Sequence, residues 1–260
     1  MAESQDVLYS VDDGIATITL NRPERMNAMG GTLTRDVRLR AKEAEEDPQV
    51  RAVIITGAGR GFCAGMDLKD RSQGKGARSW QQRLRGMEAP RTFLNMNTPT
   101  IAAVNGAAIG GGFELAMLCD YRIGSDRARM SDMHVKVGAS ADLAGFLTVP
   151  RVAGWANACK ILLTGEIFEA RELLRMGILD EVVAHDELMD RARGFARRIA
   201  GNAPLAVQMT KRLLRSANPI ALDDVQDYSL LLTGAVQQTE DFREAVRAFA
   251  EKRPPNFTGA

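Results

Sequence analysis

Between Thr98 and Asp120 the chain reads Thr-Pro-Thr-Ile-Ala-Ala-Val-Asn-Gly-Ala-Ala-Ile-Gly-Gly-Gly-Phe-Glu-Leu-Ala-Met-Leu-Cys-Asp, and no other stretch limits the fold as tightly. Thr100 to Val104 is short, apolar and partly β-branched, the pattern of a buried strand. Asn105-Gly106 is a turn signal. Gly110, Gly111 and Gly112 then remove three side chains in a row ahead of Phe113 to Leu118, which reads as a buried helix. Strand, glycine loop and helix follow within one short stretch. A helix start carries unpaired N–H groups and partial positive charge, and glycine lets a ligand approach that backbone. Such a corner suits an oxygen that becomes negative, with Glu114 one turn away. It equally suits a tight turn in which Glu114 caps the first-turn donors.

A second corner has the same design. Val50 to Thr56 reads as a central strand, and Gly57-Ala-Gly-Arg-Gly-Phe-Cys-Ala-Gly-Met-Asp-Leu68 follows it. Two such corners can each aim one N–H at a single ligand oxygen, and each donor of that kind contributes about 3 kcal/mol where charge develops. Gly57 to Gly61 also looks like a dinucleotide loop, but Phe62 stands where the third glycine of that motif belongs.

The rest of the chain supports an α/β core followed by helices. Val7 to Ser10 and Ile15 to Leu20 flank Asp12-Asp13-Gly14 as a hairpin. Helices are expected over 32–46, 87–96, 148–163 with a break at Gly154, and 170–176. Short strands are expected at 121–124, 128–130 and 178–184. Residues 132–145 read as irregular, and Asp70 to Gly86 as a polar segment that is mobile or only locally helical. From Asp186 the pattern is helical throughout, over 186–200, 204–217, 221–238 and 239–252, punctuated by Pro204, Pro219 and Pro254. This suggests a core over 1–200 and a helical region over 201–260.

With 260 residues, a net charge of +1 and 5% aromatics, the chain lacks the basic, aromatic profile of a nucleic-acid binder. No run approaches membrane-spanning length, and the N-terminus has no secretory pattern. Cys63, Cys119 and Cys159 are scattered among apolar neighbours, which points to reduced thiols and a cytoplasmic protein. With His134 and His185 as the only histidines, no ligand spacing for a metal is visible.

Taken together, the two corners resemble the enoyl-CoA hydratase/isomerase (crotonase) superfamily. The residues that carry the likeness are Phe62 to Leu68 and Ala102 to Asp120, echoed by Leu20-Asn-Arg-Pro23, Asn27-Ala28, Leu163-Thr-Gly165, Ala170 to Gly177 and Phe249 to Arg253. The resemblance implies a spiral of ββα units with a helical C-terminal region used for trimerisation, commonly as a dimer of trimers. It implies an acyl-CoA thioester substrate and no cofactor beyond the coenzyme A that the substrate carries. It places the oxyanion hole at the N–H groups of Met66 and Gly111, and an acid/base carboxylate at Glu114. It places Ala28, Ala64, Asp67, Leu68 and Gly110 along the CoA and substrate, with Lys252 near a CoA phosphate; a solvated lysine and a capping aspartate are the plain alternatives for Lys252 and Asp67.

The sequence departs from the hydratases at their second glutamate, where His134 stands. Eight residues on, Asp142 resembles the third acid of the dienoyl-CoA isomerases. An imidazole titrates near neutrality and can replace a carboxylate in proton transfer, with Asp142 orienting it. Asp142 can instead be a helix N-cap, and an isolated histidine is often a packing residue. Enoyl-CoA hydration is therefore the leading expectation. Enoyl- or dienoyl-CoA isomerisation, carbon–carbon bond hydrolysis, and acyl-CoA binding without turnover stand behind it.

Overall fold

The computed structural model describes residues 6–67, 88–217 and 230–258. Leu68, the polar segment 70–86 and the first half of the helix expected over 221–238 lie outside the described residues.

The chain begins with an antiparallel hairpin, β1 (Val7–Asp12) and β2 (Ile15–Leu20), turned at Asp13 and Gly14. Both turn residues have positive φ, 49° and 72°, which is the two-residue turn whose twist matches the strands. Helix α1 (Leu33–Glu46) leads to β3 (Ala52–Gly57) and then β4 (Gly61–Cys63). Helix α2 (Glu88–Asn95) precedes β5 (Thr100–Val104), β6 (Ala107–Ile109) and α3 (Gly111–Met117). β7 (Tyr121–Ser125) and β8 (Arg129–Ser131) follow, then a 3-10 turn over Met133–Val137 and the helix α4 (Gly145–Thr164). β9 (Phe168–Glu169), α5 (Ala170–Arg175) and β10 (Glu181–Val183) close the sheets, and α6 (Leu188–Ala200), α7 (Pro204–Ala217) and α8 (Glu240–Glu251) complete the described helices.

The strands form a six-stranded sheet in the order β1-β2-β3-β5-β7-β10 and a four-stranded sheet in the order β4-β6-β8-β9. The pairs β3–β4, β5–β6 and β7–β8 each put one strand in the large sheet and the next in the small one. Successive pairs stack in parallel, β3 on β5 on β7 and β4 on β6 on β8. The chain thus climbs as a spiral of ββα turns, which is the architecture the resemblance implied.

Each face of the large sheet has its own cover. Ile15, Ile54, Ile101 and Ile123 on one face pack against Leu188, Ala192 and Ala196 of α6. Ile18, Val53, Ile55, Ala102 and Val104 on the other face pack against Leu33, Val37 and Ala41 of α1, and Phe113 belongs to the same cluster. That face gives α1 its apolar stripe, and Arg40 lies over the Tyr9 ring at 5.5 Å.

Three readings need correction. The stretches taken as glycine loops contain strands β4 and β6, each of three residues. Gly111 and Gly112 belong to helix α3, which leaves Gly110 as its cap. The helix expected from residue 148 begins at Gly145 and keeps its break at Gly154, where φ is 73° and ψ 165°.

Two asparagines fasten the corner between β3 and β4. Asn27 accepts from the Arg22 N–H and donates to the carbonyls of Ala58 and Gly61. Asn105 accepts from the Gly57 N–H and donates to the carbonyls of Gly59 and Gly61. Asn105→Ala leaves those backbone groups short of partners in a buried corner, and a loss of about 1–3 kcal/mol is expected. Urea unfolding with an unchanged midpoint would show that the corner holds without it.

Candidate active site

The two corners touch backbone to backbone. At Gly65, with φ +75°, an added Cβ would lie 2.4 Å from the Ile109 oxygen and 3.2 Å from the Gly111 nitrogen, so only glycine fits there. Met66 forms an isolated parallel bridge with Met29. In that bridge the Met29 N–H donates to the Gly65 oxygen at 2.6 Å, and the Asp67 N–H donates to the Met29 oxygen at 3.4 Å. The flanking residues make the bonds, so the N–H of Met66 itself points away from Met29. Gly110 adopts φ 53° and ψ −122°, conformational space reserved for glycine. Its N–H donates to the Ser131 oxygen at 2.8 Å and its oxygen accepts from the Glu114 N–H at 3.0 Å. The next amide, Gly111, opens α3. Among the described residues neither the Met66 nor the Gly111 N–H has an acceptor. Met29 and Leu143 wall the Gly111 side of this space.

One turn into α3, Glu114 is fully buried. Its Oε1 accepts from the N–H of Gly145 at 2.7 Å and of Leu143 at 3.0 Å. Its Oε2 lies 3.7 Å from His134 Nε2. His134 sits on the 3-10 turn, buried, with Asp142 Oδ1 3.9 Å from Nε2 and Asp132 Oδ1 2.5 Å from Nδ1. Glu114, His134 and Asp142 are therefore brought together. The contact expected to orient the ring from Asp142 comes instead from Asp132, a residue the sequence reading did not single out. Its signal was a carboxylate two positions before the histidine on one tight turn.

Burial pushes the Glu114 carboxyl up to about 8, helped by the negative charges of Asp132 and Asp142 and opposed by His134 and the Gly145 N–H. For His134 burial alone would lower the value. The hydrogen bond from Asp132 and the charges of Glu114, Asp132 and Asp142 outweigh it and raise the imidazole to about 10. Two proton carriers thus face one space, a carboxyl that ionises reluctantly and an imidazolium that holds its proton.

Ligand-type atoms of Glu114, Asp132 and His134 lie within 4.8 Å of one another. Yet Glu114 Oε1 already takes two backbone N–H groups and Asp132 holds one ring nitrogen. That arrangement serves proton transfer better than ion binding.

The other residues singled out by sequence surround the corners. Ala28 is buried and its carbonyl accepts from Arg22 at 2.7 Å. The Ala64 N–H donates to the Met26 oxygen at 2.9 Å. Asp67 is buried and turned toward Arg22 and Arg25, 3.8 Å from each. Lys252 caps α8 with φ 56°, exposed, and among the described residues its side chain has no bond to the site. The opposite end of α8 does reach it, since Phe242 packs on Gly138 at the end of the His134 turn. The thiols of Cys63 and Cys119 are buried and pushed up to about 12, which makes them inert.

Comparison with known proteins follows the same lines. The family model for enoyl-CoA hydratase/isomerase matches residues 10–260. The (E)-benzylidenesuccinyl-CoA hydratase of Thauera aromatica is 40% identical over 255 residues, covering 98% of this chain and 99% of that protein. The short-chain-enoyl-CoA hydratase of Clostridium acetobutylicum is 33% identical, covering 96% and 97%. Among solved structures, a carnitinyl-CoA hydratase from Mycobacterium avium superposes with a TM-score of 0.90 at 35% identity, covering 99% of this chain and 100% of that one.

Proposed function

The chain belongs to the enoyl-CoA hydratase/isomerase family, and on that premise we propose that it adds water across the double bond of a 2-enoyl-CoA thioester. The reading is supported by a buried carboxylate–imidazole pair 3.7 Å apart, together with two amides, Met66 and Gly111, that have no acceptor among the described residues. The thioester oxygen accepts from both amides. Glu114, as carboxylate, takes a proton from water while the water oxygen bonds to Cβ. The double-bond electrons move onto the thioester oxygen, where the amides hold the enolate. His134, as imidazolium, delivers its proton to Cα. Glu114 then returns its proton to His134, which resets the pair. Water and substrate supply every atom and no electron is gained or lost, so no cofactor enters beyond the coenzyme A of the substrate.

Ala28, Ala64, Asp67, Leu68 and Gly110 are proposed as contacts of the CoA chain, and Lys252 as a contact of a phosphate. For the acyl group, the name of the Thauera relative makes benzylidenesuccinyl-CoA the first thioester to try. A second reading rests on Asp142, whose carboxylate comes within 3.9 Å of His134 Nε2. With three proton carriers the site can shift a double bond instead. We also read residues 201–260 as the surface of a homotrimer or a dimer of trimers. Support comes from α7, where Leu205, Leu213 and Leu214 are 71%, 69% and 67% exposed, more than a helix of an isolated chain leaves bare. No helix among the described residues is long and apolar enough to cross a membrane.

Incubation with crotonyl-CoA and benzylidenesuccinyl-CoA in ¹⁸O water should give a product heavier by one water and carrying the label. A product of unchanged mass with a shifted double bond would replace hydration by isomerisation. Glu114→Gln should lower kcat about 10²- to 10⁴-fold. The pH profile should be a bell on the alkaline side: rising as Glu114 ionises through about 8, falling as His134 loses its proton through about 10. An acid limb at the ordinary carboxylate value, about 4.3, would remove Glu114 from the role of base. Light scattering should return three or six times the chain mass; a monomer would leave the α7 leucines unexplained.

A further inference from the structure

The hydration scheme asks the buried His134 to act as an acid, and burial by itself would strip its proton. We infer that Asp132 is the positioning residue for this reaction, fixing the ring with Nδ1–H toward itself and Nε2–H toward substrate and keeping it an imidazolium. The inference rests on the hydratase reading of the same site.

Three observations carry it. The bond from Nδ1 to Asp132 Oδ1, at 2.5 Å, is the short one the ring makes; Glu114 and Asp142 stand off from Nε2 at 3.7 and 3.9 Å. Ring orientation is thus set from the Asp132 side, and Nε2 is left for the reacting carbon. Second, Asp132 is buried with its other oxygen, Oδ2, unpartnered among the described residues. An added Cβ on Gly145 would lie 2.9 Å from that oxygen, so the carboxylate is pressed against backbone. The only partner of this carboxylate among the described side chains is thus the ring. Third, the charged groups facing His134 are Glu114 from α3, Asp132 from its own turn and Asp142 from the segment before α4. Helix α8, which packs on the same turn, presents Phe242 there. Of the three carboxylates Asp132 alone is hydrogen-bonded to the ring, and that bond is the largest influence opposing burial. Without it the ring goes neutral and the proton for Cα is gone.

The test reads the ring directly and needs no substrate. The full-length protein with ¹⁵N-histidine has two side chains to observe, His134 and His185, and His185→Gln assigns them. In the wild type His134 should stay doubly protonated through pH 8 and titrate near 10. In Asp132→Asn it should be neutral by pH 8. The alkaline limb of the activity profile should fall by more than one pH unit, and kcat should drop about 10²- to 10⁴-fold with KM within about threefold. Asp132→Glu, which restores the charge, should recover the protonated ring. A wild-type His134 that is already neutral at pH 7.5, or an Asp132→Asn ring with the wild-type titration, overturns the inference. If Asp132→Asn fails to fold, the wild-type titration and Asp132→Glu still decide it. Failure of hydration with a doubly protonated ring would instead count against the reaction, not against Asp132.

Discussion

Successive turns of this spiral are pressed together until their backbones touch, and the site depends on that approach. An added Cβ at Gly112 would fall 2.1 Å from the Cys63 oxygen, and one at Gly65 would fall 2.4 Å from the Ile109 oxygen. No side chain fits between β4 and the start of α3. The consequence is chemical as well as geometric. The amide of Met66 is turned away from its bridge to Met29, and Gly65 beside it lies against the first amide of α3. The parallel stacking of β4, β6 and β8 holds this approach, with Asn27 and Asn105 tied to the Gly61 carbonyl of β4. The end of β8 adds a further tie, since the Ser131 carbonyl holds the Gly110 amide one residue before the first amide of α3, and the next residue is Asp132. One strand end therefore steadies both the start of α3 and the histidine.

Burial of Glu114 is the cost of this closeness. Its carboxyl lies one turn inside a helix whose described residues are all buried, and it is met by the N–H groups of Leu143 and Gly145 just where α4 begins. Two backbone donors keep the group from being an unsatisfied buried charge, but they do not fully offset desolvation, and the proton is held more tightly than on an exposed glutamate. A base that binds its proton well is also one that takes it from water with more driving force.

The long elements could be read from the sequence because their patterns are long: the alternation in Ile15–Leu20, the apolar run of β3, the helical spacing of α1 and α6 to α8. The three-residue strands β4 and β6 could not, since Gly-Phe-Cys and Ala-Ala-Ile are too short to show alternation, and their partners are distant in sequence. Gly111 and Gly112 read as loop because glycine is a poor helix former; the close approach to Cys63 overrides that preference. At the site, Glu114, His134 and Asp142 were marked by residue type and by resemblance. Asp132 was passed over because it stands only two positions before the histidine, a spacing whose side chains usually do not meet. The 3-10 turn over 133–137 folds them back onto each other.

An imidazolium and a carboxylate set side by side in a buried space face a hazard that two carboxylates do not: they attract. A direct ion pair would spend the acid on the base and leave nothing for substrate. Here each partner is tethered from behind. Gly145 and Leu143 draw Glu114 toward the start of α4, and Asp132 draws His134 toward its own turn. The 3.7 Å that remains between Oε2 and Nε2 is longer than a hydrogen bond. The field between the groups survives while the bond does not form. Loss of the Leu143 and Gly145 tether should let the pair close, whereas loss of Asp132 removes both the tether and the bond that holds the ring charged, so one carboxylate sets the ring's place and its attraction to Glu114 together.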